Sequence, residues 1–291
     1  MRIAYLIMAH DNFAHLSKLI KALDDRDVVF YIHFDAKVEI PESSFNLAEK
    51  KNVIFVDRIA VWWGGWSQTQ LTLNLLKKAA KENFDYYILI SGVDYPIRRN
   101  SFLYDRLEEG GEYMNIIKGF QPHKPLSRVR NYYFDGFDRR DKRSRKTKFF
   151  LTFEKILRKL KIKKRHFPFE QVYHGSAMWA LSHGCVRHIL DFTEKNPKWV
   201  RFYKTSLCSD EGYIPTVVGN SEFFTQCKGN LTFTDWSADP PPAIIDRTHV
   251  EQFKKGIEFE SSYGKYIPFF ARKFNDECGE VVEQINRELR V

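Results

Sequence analysis

The sequence predicts an α/β fold, a single domain built around a mostly parallel central sheet and carrying a basic helical insert. Three observations lead there. Four short runs read as strands, residues 3–8 (IAYLIM), 28–34 (VVFYIHF), 53–56 (VIFV) and 86–90 (YYILI). They are apolar enough to be buried on both faces, as parallel strands are. Segments between several of them carry helical periodicity, and the basic residues are gathered in one later stretch.

Taken in order, the first strand is followed by FAHLSKLIKAL, where Phe13, Leu16, Leu19, Ile20 and Leu23 recur at the spacing of one helical face. TQLTLNLLKKAAKE repeats the pattern between the third and fourth strands. Strand and helix alternating in this way predict a parallel sheet. Ligands of such sheets bind beyond the carboxyl ends of the strands, which singles out the loops AHDN, DAK and SGVDYP. Further on, FFLTFEKILRKLKI predicts a helix with Phe149, Phe150, Phe153, Ile156, Leu157 and Leu160 on one side and lysines elsewhere. Ser182 is placed to cap a helix through Leu190, with Pro197 beyond its end. DWSADPPP, residues 235–242, reads as loop, and helices from about Val250 and about Glu280 finish the chain.

Composition sets bounds on function. With 291 residues and 43% hydrophobic content the chain can bury a sizeable core. The four cysteines, Cys185, Cys208, Cys227 and Cys278, form no CxxC pair, against a zinc ribbon or a disulfide scaffold. No charged leader with a long apolar region opens the chain, and its apolar runs fall short of the roughly 18 residues of a membrane-spanning helix. A cytoplasmic protein is expected. The net charge of +9 is local: residues 139–165, beginning at Arg139 and ending at Arg165, hold 14 Lys and Arg against Asp141 and Glu154. The rest of the chain holds 32 basic and 35 acidic residues, so a nucleic-acid surface spread over the fold is not expected.

Among the motifs, LCSDEGYIPT sets Asp210 and Glu211 after Ser209, which reads as a helix cap with two acids in the first turn. A carboxylate held at a helix start also stays ionised and can take a proton from a bound hydroxyl. Local sequence leaves both readings open. Asp35, at the end of the second strand, is either a turn former or an acid that meets the polar groups of a nucleotide. The loop VWWGGWSQ flanks tryptophans with glycines, so Trp63 is either core or a face on which a base or sugar stacks. Trp179 and Trp236 raise the same alternatives. Neither GxGxxG nor GxxxxGK[ST] occurs, which disfavours dinucleotide-dependent enzymes and P-loop kinases.

These segments together resemble the Core-2/I-branching family of glycosyltransferases, which also contains the peptide O-xylosyltransferases. RIAYLIMAH, YIHFDAK, VWWGGWSQTQLTLNLL, YYILISGVDYPI, YHGSAMWALS, CSDEGYIPTVVGNS, TDWS and FFARKF follow the family order over most of the chain. The resemblance implies a GT-A (Rossmann-like) fold, a UDP-sugar donor, inversion at the anomeric carbon and no metal cofactor. It implies a nucleotide-binding half over residues 1–117, the insert over 118–170 and an acceptor and catalytic half over 171–291. Metal-dependent GT-A enzymes carry a DxD after a central strand; the matching SGVDYP has Asp94 alone, and Asp25-Arg26-Asp27 is a DxD by spelling only. Without a cation, Lys and Arg must meet the charge on the leaving diphosphate. Lys273 in FFARKF matches the family's phosphate-binding lysine, and Arg247 is the expected second cation, since the adjacent Arg272 would ordinarily point away. Glu211 falls on the catalytic base, Asp35 and Trp63 on the uracil contacts, and Trp236 on an acceptor contact, with Asp210 and Trp179 expected beside substrate.

The reading is an inverting, metal-independent transferase moving N-acetylglucosamine or xylose from a UDP-sugar to a hydroxyl of a glycan or lipid-linked glycan, as in surface polysaccharide synthesis. A β-1,6-N-acetylglucosaminyltransferase-like activity is expected. The alternative is a non-catalytic carbohydrate- or membrane-surface-binding protein on the same fold. Its support is the amphipathic basic insert, which suits the inner face of an anionic membrane.

Overall fold

The computed structural model describes residues 1–41, 47, 50–163 and 167–291. The chain runs β1 (Ile3–Ala9), α1 (Phe13–Leu23), β2 (Val28–Phe34), β3 (Val53–Phe55), α2 (Trp66–Ala79), β4 (Tyr86–Ser91), β5 (Asp94–Pro96), α3 (Asn100–Glu108), β6 (Glu112–Lys118), α4 (Ser127–Arg130) and α5 (Arg145–Lys159). It continues with β7 (Tyr173–Ser182), α6 (His183–Lys195), α7 (Pro197–Tyr203), α8 (Tyr213–Gly219), β8 (Cys227–Lys228), β9 (Thr232–Thr234), α9 (Arg247–Lys255), β10 (Phe259–Ser261), β11 (Gly264–Tyr266), β12 (Phe270–Arg272) and α10 (Gly279–Glu288).

Seven strands form one sheet in the order β3-β2-β1-β4-β7-β6-β8. All its pairings are parallel except those of β7, which runs against both β4 and β6. This is the mostly parallel sheet expected of a GT-A-like α/β domain. Alternation along β1 divides the molecule into two cores: Ile3, Tyr5 and Ile7 face α1, α3, α9 and α10, while Ala4 and Leu6 face α2, α6, α7 and α8. A small sheet, β5-β12-β9, closes over the first core beside the carboxyl ends of β1 and β4. It places Arg272, the last residue of β12, opposite Asp94.

Several helix limits follow from local chemistry. Ser182 caps α6 by accepting from Cys185 N at 3.3 Å, an interaction worth about 1 kcal/mol. Pro197 then opens α7, a position that needs no amide proton. Ser209 does not cap a helix as expected. Its hydroxyl bonds Thr69 Oγ1 at 2.7 Å, and Ser209–Glu211 forms a single 3₁₀ turn ahead of α8. Pro215 supplies the reason: it lies in the first turn of α8, and a helix begun at Ser209 would carry it into the interior, where proline breaks the hydrogen-bond ladder.

The basic insert departs most from its expected packing. Its helix begins at Arg145, capped by Ser144, and the two residues it buries are Thr147 and Glu154 rather than the phenylalanine stripe. Glu154, 1% exposed, takes both arms of the Arg139 guanidinium and the Phe134 amide at 2.9 Å. Lys164 and Arg165, the end of the basic stretch, lie outside the described residues. Among the described residues no helix is long and apolar enough to cross a membrane.

Candidate active site

Most of the residues singled out in the sequence lie toward the carboxyl edge of the parallel strands; Arg247 and Trp179 do not. Asp35 follows β2 and is 7% exposed; its carboxylate accepts from the amide of Lys37 at 2.9 Å and pairs with the Lys37 ammonium. Lys37 also bonds the Val61 carbonyl and lies 4.5 Å from the centre of the Trp62 ring. Asp35 is thereby fastened to the tryptophan loop. In that loop Trp62 is only partly exposed, whereas Trp63 is 49% exposed, with the Arg140 guanidinium over its ring at 5.9 Å from its centre.

Glycine makes this loop possible. Gly64 has φ +73°, a left-handed conformation, and a Cβ at Gly65 would stand 2.1 Å from a carboxylate oxygen of Asp135. Asp135 comes that close because it accepts from Ser67 N at 2.6 Å, at the start of α2. The Gly64 carbonyl accepts from Cys208 N at 2.9 Å, which ties the tryptophan loop to the turn bearing Asp210 and Glu211.

Glu211 is the best-defined group of the site. Lys124 Nζ lies 3.0 Å and Arg128 Nη1 2.7 Å from its Oε2, while Oε1 has no partner among the described residues. Burial pushes its carboxyl up, but Lys124 and then Arg128 outweigh that and hold it below the ordinary glutamate value. One oxygen is anchored by both cations. Asp210 is the opposite case: burial first, and the adjacent Glu211 charge second, raise it well above the ordinary aspartate value. Its Oδ1 is buried with no hydrogen-bond partner among the described residues. Neither Lys124 nor Arg128 was expected. Lys124 lies in a turn before α4 and Arg128 within it, and nothing local in the sequence linked either to Glu211.

Lys273 lines a cleft of about 340 Å³ with His10, Asp11, Ser91, Arg272 and Asn275. Burial and then the neighbouring Arg272 lower the lysine's pKa, with Asp11 opposing them and Arg140 acting in the same direction as Arg272. No carboxylate among the described residues is ion-paired with Lys273. Arg272, expected to point away, lines the cleft too, with its Nε 3.4 Å from Asp94 Oδ1. Asp94 itself is 0% exposed and accepts from Ser91 N at 2.9 Å. Among the described residues no group of three or more His, Cys, Asp or Glu is arranged to hold a metal ion.

Two expected site residues stand elsewhere. Arg247 opens α9 and its guanidinium pairs with Glu280 of α10 on the surface, with 70% of the side chain exposed. It is not part of the cleft, because the first turn of α9 directs it toward the neighbouring helix. Trp179 is 3% exposed within the second core, since β7 lies between β4 and β6 with helices over that face. It offers substrate no surface. Trp236, 69% exposed in the loop after β9, is available.

Comparison with known proteins assigns the family. The family profile described as Core-2/I-Branching enzyme matches residues 3–256, and the chain belongs to that glycosyltransferase family. It is 25% identical over 302 residues to xylosyltransferase 2 of Rattus norvegicus, covering 98% of this chain and 33% of that protein. It is likewise 25% identical over 247 residues to xylosyltransferase 1 of Canis lupus familiaris, covering 81% of this chain and 24% of the relative. The chain thus spans about a third or less of the length of these relatives.

Proposed function

We propose that the protein transfers a sugar from a UDP-sugar to a hydroxyl of a glycan acceptor with inversion, Glu211 being the base and no metal ion taking part. The observation that carries this reading is the divided Glu211 carboxylate, Oε2 fixed by two cations and Oε1 without a partner among the described residues. The acceptor oxygen attacks the anomeric carbon, the bond from that carbon to the diphosphate breaks, UDP departs with the bonding electrons, and the hydroxyl proton passes to Oε1. Cationic partners make Glu211 a weaker base, so its proton arrives as the new bond forms and the hydroxyl turns acidic.

Lys273 and Arg272 are the groups suited to meet the charge developing on the diphosphate, taking the place a metal ion would hold. Asp94, the acid nearest a DxD position, is buried against Arg272 and so is poorly placed to reach a metal in the cleft. Trp63 suits stacking on uracil and Asp35 its polar edge; Trp236 suits the acceptor. Relatives named xylosyltransferases favour xylose as the donor sugar over N-acetylglucosamine. The acceptor is a glycan, free or lipid-linked, of the kind assembled in surface polysaccharides.

Glu211→Gln tests the mechanism: UDP binding is expected to persist while transfer falls by ~10²–10⁴. Unchanged transfer in that variant refutes the assignment. Loss of transfer on adding EDTA, restored by a divalent ion, refutes the metal-free reading. A melting screen over UDP-sugars identifies the donor, since a ligand at 100 times its dissociation constant stabilises by about 2.7 kcal/mol. A purely carbohydrate-binding protein would bind a UDP-sugar or glycan in that screen and consume neither.

A further inference from the structure

We infer that the outward face of α5 is a docking surface for an anionic lipid bilayer, with the helix lying flat in the headgroup layer. The inference stands apart from the donor chemistry. Its first observation is an inversion of ordinary helix packing. Phe149, Phe153, Ile156 and Leu160, spaced four, three and four residues apart, form one stripe and are 65%, 41%, 46% and 65% exposed. The opposite side, turned to the protein, carries the buried Glu154 and Thr147. Large apolar side chains at this exposure, aligned along one helix, mark an interaction site.

The charges choose the partner. Lys148, Lys155 and Lys159, spaced seven and four apart, follow a parallel exposed line along one flank of the stripe, and Lys146 is exposed on the other. An apolar stripe edged by lysines matches the two layers of an anionic membrane surface, acyl chain below and phosphate above. A second copy of this chain would bring two strongly positive segments together. An acidic polymer would use the lysines and leave the phenylalanines in water.

The helix is also held so that it can present this face. Its inner side is locked by the Arg139–Glu154 pair, by Thr147 Oγ1 donating to the Asp138 carbonyl at 2.9 Å, and by Phe150 stacked on Phe137 at 5.0 Å. The same segment joins the tryptophan loop through Asp135 and Ser67. Docking would therefore fix how the cleft stands over the membrane, within reach of an acceptor carried on a lipid.

Co-sedimentation of the whole chain with vesicles of phosphatidylcholine alone, or mixed with phosphatidylglycerol, tests the inference. Binding is expected to the mixed vesicles only and to weaken as salt is raised. Lys148→Gln, Lys155→Gln and Lys159→Gln should each weaken it roughly fivefold. The pair Phe149→Ser and Leu160→Ser should weaken it roughly tenfold or more, with the melting temperature unchanged because both positions are exposed. Any of three results overturns the inference: no binding to mixed vesicles at low salt, binding that ignores the phenylalanine and leucine substitutions, or a dimer in sedimentation velocity that those substitutions dissolve. If the serine pair fails to fold, the glutamine variants still decide.

Discussion

Lys124 and Arg128 both bind one oxygen of Glu211, and the effect on pH dependence can be signed. A lowered carboxyl stays ionised as the pH falls through the ordinary glutamate range, so turnover should hold there and decline only below it. Lys124→Gln removes one of the opposing charges, and the acidic limb of the kcat/KM profile should move to higher pH. The neighbouring acid behaves in reverse. Asp210 is raised in the folded state, so its contribution to stability is complete below the unfolded value and is lost as pH rises through the folded one. Asp210→Asn should flatten that loss, seen as a melting temperature that falls less than the parent's between acid and neutral pH. Glu211 could be singled out as the candidate base from the sequence because CSDEGYIPT resembles a family motif. Its partners could not, because Lys124 and Arg128 lie more than 80 residues away and meet it only through the fold.

At the scale of elements, what periodicity could show it showed well. VVFYIHF matches β2 residue for residue, and α1, α6, α9 and α10 start within a few residues of their cap or pattern signals. The insert resisted such reading. A helix with phenylalanines down one side predicts burial of that side, and here a buried ion pair takes the inner position instead. Arg139 and Glu154 are 15 residues apart, beyond helical spacing, so the sequence offered no sign of their pairing. Breaking one partner leaves an uncompensated buried charge, and Glu154→Ala should destabilise the protein by about 3–5 kcal/mol. Replacing both partners with apolar residues should cost much less than the two single changes together, measured by urea unfolding in a double-mutant cycle. Arg272 gave a similar lesson. Adjacent side chains alternate along a strand, but Lys273 has left β12, so the two converge on one cleft.

For the whole molecule, the order of strands ties distant parts of the chain together. β6 precedes the basic insert and β7 follows it, yet β7 lies between β4 and β6 in the sheet. The expected nucleotide-binding and acceptor halves are thus interleaved rather than side by side. β7 runs against its neighbours, which brings Gly175, near its amino end, to the rim where its carbonyl receives Lys124. Sequence patterns could show that strands exist, but not this insertion, since pairing partners far apart in the chain leave no local trace. Charge, by contrast, was legible at this scale, because 14 cations in one stretch are visible without coordinates.

That insertion bears on how the protein is made. While it emerges from the ribosome, β4 and β6 are complete long before the strand that must enter between them, and until residue 182 has been synthesised both keep an open edge. Unpaired edges invite pairing with other chains. Chains stopped before residue 173 should collect in the insoluble fraction, while the whole chain should remain in the supernatant of the same lysate.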